Sequence, residues 1–196
     1  MHQLLLSTKF GRNQLTIAKI IAATLISTFV FLFIQMISLG AFYVYNSGFT
    51  GWDTSIQTNF SLKLFHFPAE INQLQVFCLA MVLHFISLLS IIAITLYVSS
   101  ITRSPFSSLA MGLGLFLLPK AFTQLIKRGI VYKLLNLFPI NNFRIDEDFL
   151  TLMSTKQEFI LQSFGQNIVV TITVLLVLKI MLNGLIYLRM KQYQIT

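Results

Sequence analysis

Four long apolar runs, divided by two wide polar stretches and one short one, set the plan of the chain. A helix rises 1.5 Å per residue, so about 20 apolar residues cross a hydrocarbon core of roughly 30 Å. Runs at about Ile17–Tyr45, Leu74–Val98, Phe106–Ile126 and Asn167–Leu188 meet that length. The first is roughly 43 Å long as a helix, so it tilts or projects beyond the core. Lys19 can snorkel at one of its ends, and Phe42, Tyr43 and Tyr45 form an aromatic interface at the other. The pattern predicts an all-α fold, a polytopic membrane helix bundle with four membrane-spanning helices. It forms a single transmembrane domain over 1–196, with a basic leader over 1–16 and outer loops over about 46–73 and 129–166.

Polar residues interrupt two of the runs. Pro119 removes a helical hydrogen bond from the third and is expected to kink or end it. Beyond it, Lys120, Thr123, Gln124, Lys127 and Arg128 cluster within about 140° of a helical wheel, as a solvated interfacial face or as a polar wall beside a transport path. In the fourth run Lys179 sits near the middle. Fourteen Ile, Leu and Val residues, at about −0.3 to −0.6 kcal/mol each, outweigh a central lysine costing roughly 2.5–3.5 kcal/mol, so the segment inserts. An intramembrane charge marks a functional site by default. The competing reading is a snorkelling or structurally paired lysine helped by Asn183, one turn away.

Composition agrees. Hydrophobic residues make up 56% and charged residues 10% of the 196, against about 25% charged in a soluble domain, and mean hydropathy is +0.78. Lipid is therefore the expected solvent. The net charge of +8 raises nucleic acid as a partner, but the basic residues mostly lie outside the apolar runs, where membrane proteins keep them, so no nucleic acid is expected. The single cysteine, Cys78, excludes an internal disulfide or a multi-Cys zinc site. It lies mid-run and is expected to be buried and inert. The N-terminus is no signal peptide, because the apolar run is too long for an h-region. Four crossings put both termini on one side. With that side cytoplasmic, the inner segments hold six basic residues, and the outer loops hold seven together with all six acids. Basic density favours termini inside.

Chemistry in the polypeptide itself is sparse. There is no G-x-x-x-x-G-K-[ST], no H-E-x-x-H and no G-x-S-x-G. His2, His66 and His84 are scattered, and His84 reads as a core histidine on a different helix face from Cys78. The acids crowd into a solvated "IDEDF", and the sequon at Asn59 is a weak three-residue match. No catalysis, metal or cofactor is expected.

Four blocks carry a resemblance. "LLLSTKFGR" followed by "AKIIA" resembles the cytoplasmic segment of permease subunits of type-2 ABC transporters. "GFTGWDTSIQ" is similar to the Gly-x-x-Gly-Trp-x-x-x-x-Gln stretch of bacterial members, "SSITRSPF" to their short inner turn, and "LLNLFPINNF" to the outer segment before the last helix. The blocks occur in family order across nearly the whole chain. The resemblance implies a multi-pass cell-membrane permease with both termini cytoplasmic and a transport path for a substrate moved by ATP hydrolysis on a separate ATP-binding subunit. It also implies a second permease subunit, identical or related. Leu4, Ser7, Thr8, Lys9, Phe10, Gly11 and Arg12 would dock the ATP-binding subunit, with Lys179 and Asn183 on the path. Family members commonly have six membrane helices, so this chain is expected to be a copy lacking the first two.

The leader also has a plain physical reading. Lys9 and Arg12 can hold anionic headgroups, Gly11 permits a bend and Asn13 can cap the first helix. The leucines at 4–6 offer an apolar knob that a simple anchor does not need. Two other classes stay open: a non-transporting scaffold or immunity-type protein, and an ion-coupled secondary transporter centred on Lys179. No paired, interrupted helices mark the latter.

Overall fold

The computed structural model describes residues 11–45, 47–58, 67, 69–102, 104–127, 129–143, 150, 161 and 163–192, with 11–13 and 190–192 as backbone. Its helices are α1 (Gly11–Tyr45), α2 (Gln73–Ile101), α3 (Pro105–Leu125), α4 (Ile130–Asn136) and α5 (Phe164–Gln192), with 3₁₀ turns at Ile56–Thr58 and Pro139–Phe143. The described residues contain no strand, only an isolated bridge between Ser55 and Asn72. The fold is all-α. α1, α2, α3 and α5 are long and apolar enough to cross a membrane, so the chain is a multi-pass membrane protein.

Local chemistry fixes the helix ends. α1 closes with Ser47 in the left-handed region at φ 54° and the Gly48 N–H donating to the Tyr43 carbonyl at 2.9 Å. That bond satisfies a carbonyl the helix end would leave bare. α2 starts in a capping box: Asn72 Oδ1 accepts from the Gln75 N–H, and Gln75 Oε1 accepts from the Asn72 N–H. At its far end the Thr102 N–H and hydroxyl both donate to the Val98 carbonyl. Two residues later Ser104, extended as a residue before proline prefers, caps α3 with Pro105 in its first turn. So short a connection makes α2 and α3 antiparallel neighbours.

Burial makes α2 the hub. A third of its most apolar stretch (33%) is buried, against 11% for α3 and α5 and none for α1. The large apolar side chains that α1 leaves uncovered, Leu25, Ile26, Phe29 and Met36 among them, belong in lipid. Ser87, Ser90 and Ala93 on α2 are buried. Small side chains there let helix backbones approach, which is how membrane helices associate when lipid supplies no hydrophobic drive. Ser90 Oγ donates to the Leu175 carbonyl of α5 at 2.9 Å, and the Phe31 and Phe85 rings, 5.5 Å apart, join α1 to α2.

Two clusters organise the loop side of the bundle. Trp52 packs among Phe42, Phe49 and Phe77, linking the end of α1 to the start of α2 at the level where aromatic belts sit. Ile56, Phe67 and Leu150 form a small core over Val76 and Phe164. Leu83 packs against Tyr132, Leu137, Phe164 and Ile168, which seats α4 on α2 and α5.

Several expectations change. Pro119 does not end its helix: α3 continues to Leu125, since lipid-buried helices accommodate a proline more readily than soluble ones. α3 stops before Lys127, so the polar residues from Lys120 onward do not share one helical face; Thr123 donates to the Lys120 carbonyl, and Arg128 lies outside the described residues. Cys78 is exposed, not buried, because the packed face of α2 runs through Leu79 and Leu83 instead. Asn13 lies within α1 and cannot cap it. Asn59 and the acidic stretch 146–148 lie outside the described residues.

Candidate functional site

The bundle-facing stripe of α5 descends in steps of a helical turn through Asn167, Thr171, Leu175, Lys179, Asn183 and Ile186. Its upper half is closed. Asn167, Thr171 and Leu175 have no solvent exposure. Asn167 accepts from the Leu161 N–H at 2.9 Å and donates to the Leu161 carbonyl at 3.2 Å, tying the preceding chain to the helix. Thr171 donates back to the Asn167 carbonyl.

Below Leu175 the stripe changes character. Lys179 and Asn183 are half-buried. Lys179 stands about 22 Å from Phe164 and 20 Å from Gln192 along the axis, near mid-helix. The acids among the described residues, Asp53 and Glu70, lie between α1 and α2, so no described carboxylate inside the bundle offsets this cation. One turn on, Asn183 Oδ1 is buried without a hydrogen-bond partner. The structure thus brings together the two path residues expected from sequence. A cation and an open amide acceptor can hold an anionic group that also carries a donor.

Of the residues expected to dock a partner, Leu4, Ser7, Thr8, Lys9 and Phe10 lie outside the described residues, and Gly11 and Arg12 are backbone at the start of α1. The glycines, tryptophan and glutamine of "GFTGWDTSIQ" each have a structural task. Gly48 and Gly51 take φ of 129° and 88°, a region open to glycine and strained for other residues. Trp52 anchors the aromatic cluster, and Gln57 Nε2 donates to the Phe67 carbonyl at 2.8 Å. "LLNLFPINNF" behaves alike: Asn136, Asn141 and Asn142 donate to the carbonyls of Tyr132, Leu135 and Phe138. These blocks shape loops.

A cleft of about 530 Å³ lies between α2 and α3 beside their short connection, lined by Thr95, Ser99, Thr102, Ser104 and Ser108 with Phe116. Thr95 and Thr102 donate to backbone carbonyls of their own helix, and Ser104 bonds Ser107. Few donors there are left for a ligand. More telling are three buried polar atoms without partners where α2 meets the second 3₁₀ turn: His84 Nε2, Ser87 Oγ and Asn142 Oδ1. An uncompensated buried polar atom costs about 1–3 kcal/mol.

Sequence reasoning passed over Ser87, Ser90, Asn142, Asn167 and Thr171. Serines three apart inside "ISLLS", followed by Ala93 at the same interval, put small side chains on neighbouring positions of one helix side and would have pointed to α2 as the hub. Compared with known protein families, with characterised proteins and with solved structures, the chain matches none. A family assignment therefore has no whole-chain likeness behind it.

Proposed function

We propose that the chain is a permease subunit of an ABC transporter of type 2. In this reading it sits in a bacterial cell membrane with both termini cytoplasmic. It lines a substrate path with a second permease subunit, and a separate ATP-binding subunit drives it. The observation that carries the reading is the position of three family-like blocks at helix boundaries. One follows α1, one forms the α2–α3 connection, and one spans the α4–3₁₀ segment before α5, while the fourth precedes them in the sequence. Lys179 and Asn183 supply the polar point a path requires. The chain has no phosphate-cradling loop of its own, so the nucleotide belongs to the partner, and its strokes reach the bundle through Leu4–Arg12.

The test is co-purification and ATP turnover with an ATP-binding subunit of this class. Replacing Leu4, Lys9 and Arg12 by Asp releases the partner. Lys179→Met keeps it and lowers cargo-stimulated turnover. A triple variant that still holds its partner would refute the docking role. A second reading, a non-transporting scaffold, draws on the closed packing of α2 against α5, where Leu83, Ser87, Ser90, Thr171 and Leu175 are solvent-inaccessible. ATP-dependent cargo movement in proteoliposomes separates the two.

A further inference from the structure

We propose that His84, Ser87 and Asn142 hold a bound water molecule that joins α2 to the segment following α3. His84 and Ser87 lie one turn apart on α2, so their side chains are neighbours. The His84 ring stacks on Phe143, with centroids 5.5 Å apart and planes 10° from parallel, and hydrogen-bonds the Phe143 backbone. Asn142 is the residue before, in the same 3₁₀ turn. Ser87 and Asn142 are fully buried.

The bonding capacities left open are specific. Nε2 is the bare ring atom; with the ring proton on Nδ1, a neutral imidazole presents Nε2 as an acceptor. Asn142 Nδ2 donates to the Phe138 carbonyl at 3.1 Å, which leaves Oδ1 as a second acceptor. The third group is the Ser87 hydroxyl. Of the buried hydroxyls on these helices, Ser90 and Thr171 donate to the carbonyl one turn earlier, those of Ile86 and Asn167. Ser87 Oγ makes no such bond, so its proton is directed elsewhere.

Two acceptors and one hydroxyl donor complement a molecule with two donors and one acceptor. Water has that capacity, and buried water typically makes about three such bonds. Donating to Nε2 and Oδ1 while accepting from Ser87, it leaves no orphan. Among the described residues no group of three or more His, Cys, Asp and Glu could hold a metal ion, and the set lacks the charge to favour one. The water is then a polar joint between the hub helix and the segment that follows α3, beside the His84–Phe143 stack.

Two measurements on the full chain in lipid bilayers decide this. In a chain whose His2 and His66 are replaced by Gln, water-edited solid-state NMR of ¹⁵N-labelled His84 should show magnetisation passing from water to Nε2. Its absence overturns the proposal even if every variant below misfolds. In thermal unfolding, Ser87→Ala and Asn142→Leu should each lower the midpoint by about 2–4 °C, and the double variant should fall no lower than the worse single one, because both break one shared site. Additive losses, or single variants that raise the midpoint, overturn it. Exchanging sodium for ammonium chloride should leave the midpoint unchanged. A rise that saturates with ammonium would assign the place to a cation and overturn the assignment to water.

Discussion

Replacing Ser90 asks whether α2 and α5 are in close contact. Ser90 has no solvent exposure, and its hydroxyl donates to the carbonyl of Ile86 at 3.0 Å and that of Leu175 at 2.9 Å. In Ser90→Ala the interhelical bond is lost, but both carbonyls lie within helices and keep their backbone partners four residues on. No orphan results, and the cost is that of one membrane-buried hydrogen bond, about 0.6 kcal/mol. Ser90→Leu is different in kind. It adds two heavy atoms at a close-packed contact, and overpacking of this sort costs about 1–3 kcal/mol. At about 2–4 °C per kcal/mol for a chain of this length, alanine should lower the unfolding midpoint by roughly 1–3 °C and leucine by several more. The Leu175 carbonyl is also the helical acceptor for the Lys179 amide, so displacement of α5 by leucine carries the charged turn with it. The assay is thermal unfolding in lipid nanodiscs, read for both variants side by side. If Ser90→Leu is as stable as Ser90→Ala, the two helices are not packed through this serine, and the reading of α2 as the hub fails.

Smaller perturbations probe the helix ends. Gly51→Ala forces a β-carbon onto φ 88° with no atom within 4 Å of it, so its effect is conformational alone. A loss of about 1–2 kcal/mol should appear as faster proteolysis of the loop between α1 and α2, and unchanged cleavage would contradict the loop geometry. Ser47→Gly is the mirror experiment: relief of a left-handed serine at φ 54° should gain up to about 1 kcal/mol, read as a raised unfolding midpoint. Asn72→Ala removes the side-chain arm of the α2 capping box, leaving the bond from its own N–H to Gln75 Oε1, and should cost about 0.5–2 kcal/mol. Hydrogen exchange should quicken at the amides of the first turn of α2 and stay slow around Ser90, and equal quickening at both would refute a local role.

The four crossings were legible because membrane insertion is a summed property. A run such as Leu74–Val98 carries its signal in every residue, so single polar interruptions shift a boundary by a few positions and no more. α2 extends that run to Gln73–Ile101, because a capping box at Asn72 and Gln75 and a cap at Thr102 set its ends, and hydropathy registers neither. Cys78 fared worse for the same reason. Mid-run position says that a residue is inside the membrane, but not whether it faces lipid or protein. That choice depends on which face of α2 meets α5, a fact carried by Ser87, Ser90 and Ala93.

Polar residues inside the runs divide along similar lines. Lys179 was visible because one charge stands out among fourteen branched aliphatics, and its depth follows from counting residues. The partnerless state of Asn183 Oδ1, His84 Nε2, Ser87 Oγ and Asn142 Oδ1 was not, because it concerns bonds that are missing, and a sequence lists only the groups able to make them. Asn142 stands beside Asn141 in "PINNF" with the same side chain, and both donate to a carbonyl of the preceding segment. Only Asn142 leaves a buried oxygen open, in a turn packed on a helix that begins some seventy residues earlier in the chain. What distinguishes the two asparagines is therefore the tertiary fold, and the same holds for Ser87 beside Ser90. Candidate sites in this protein should be sought first where neighbours of identical chemistry are bonded differently.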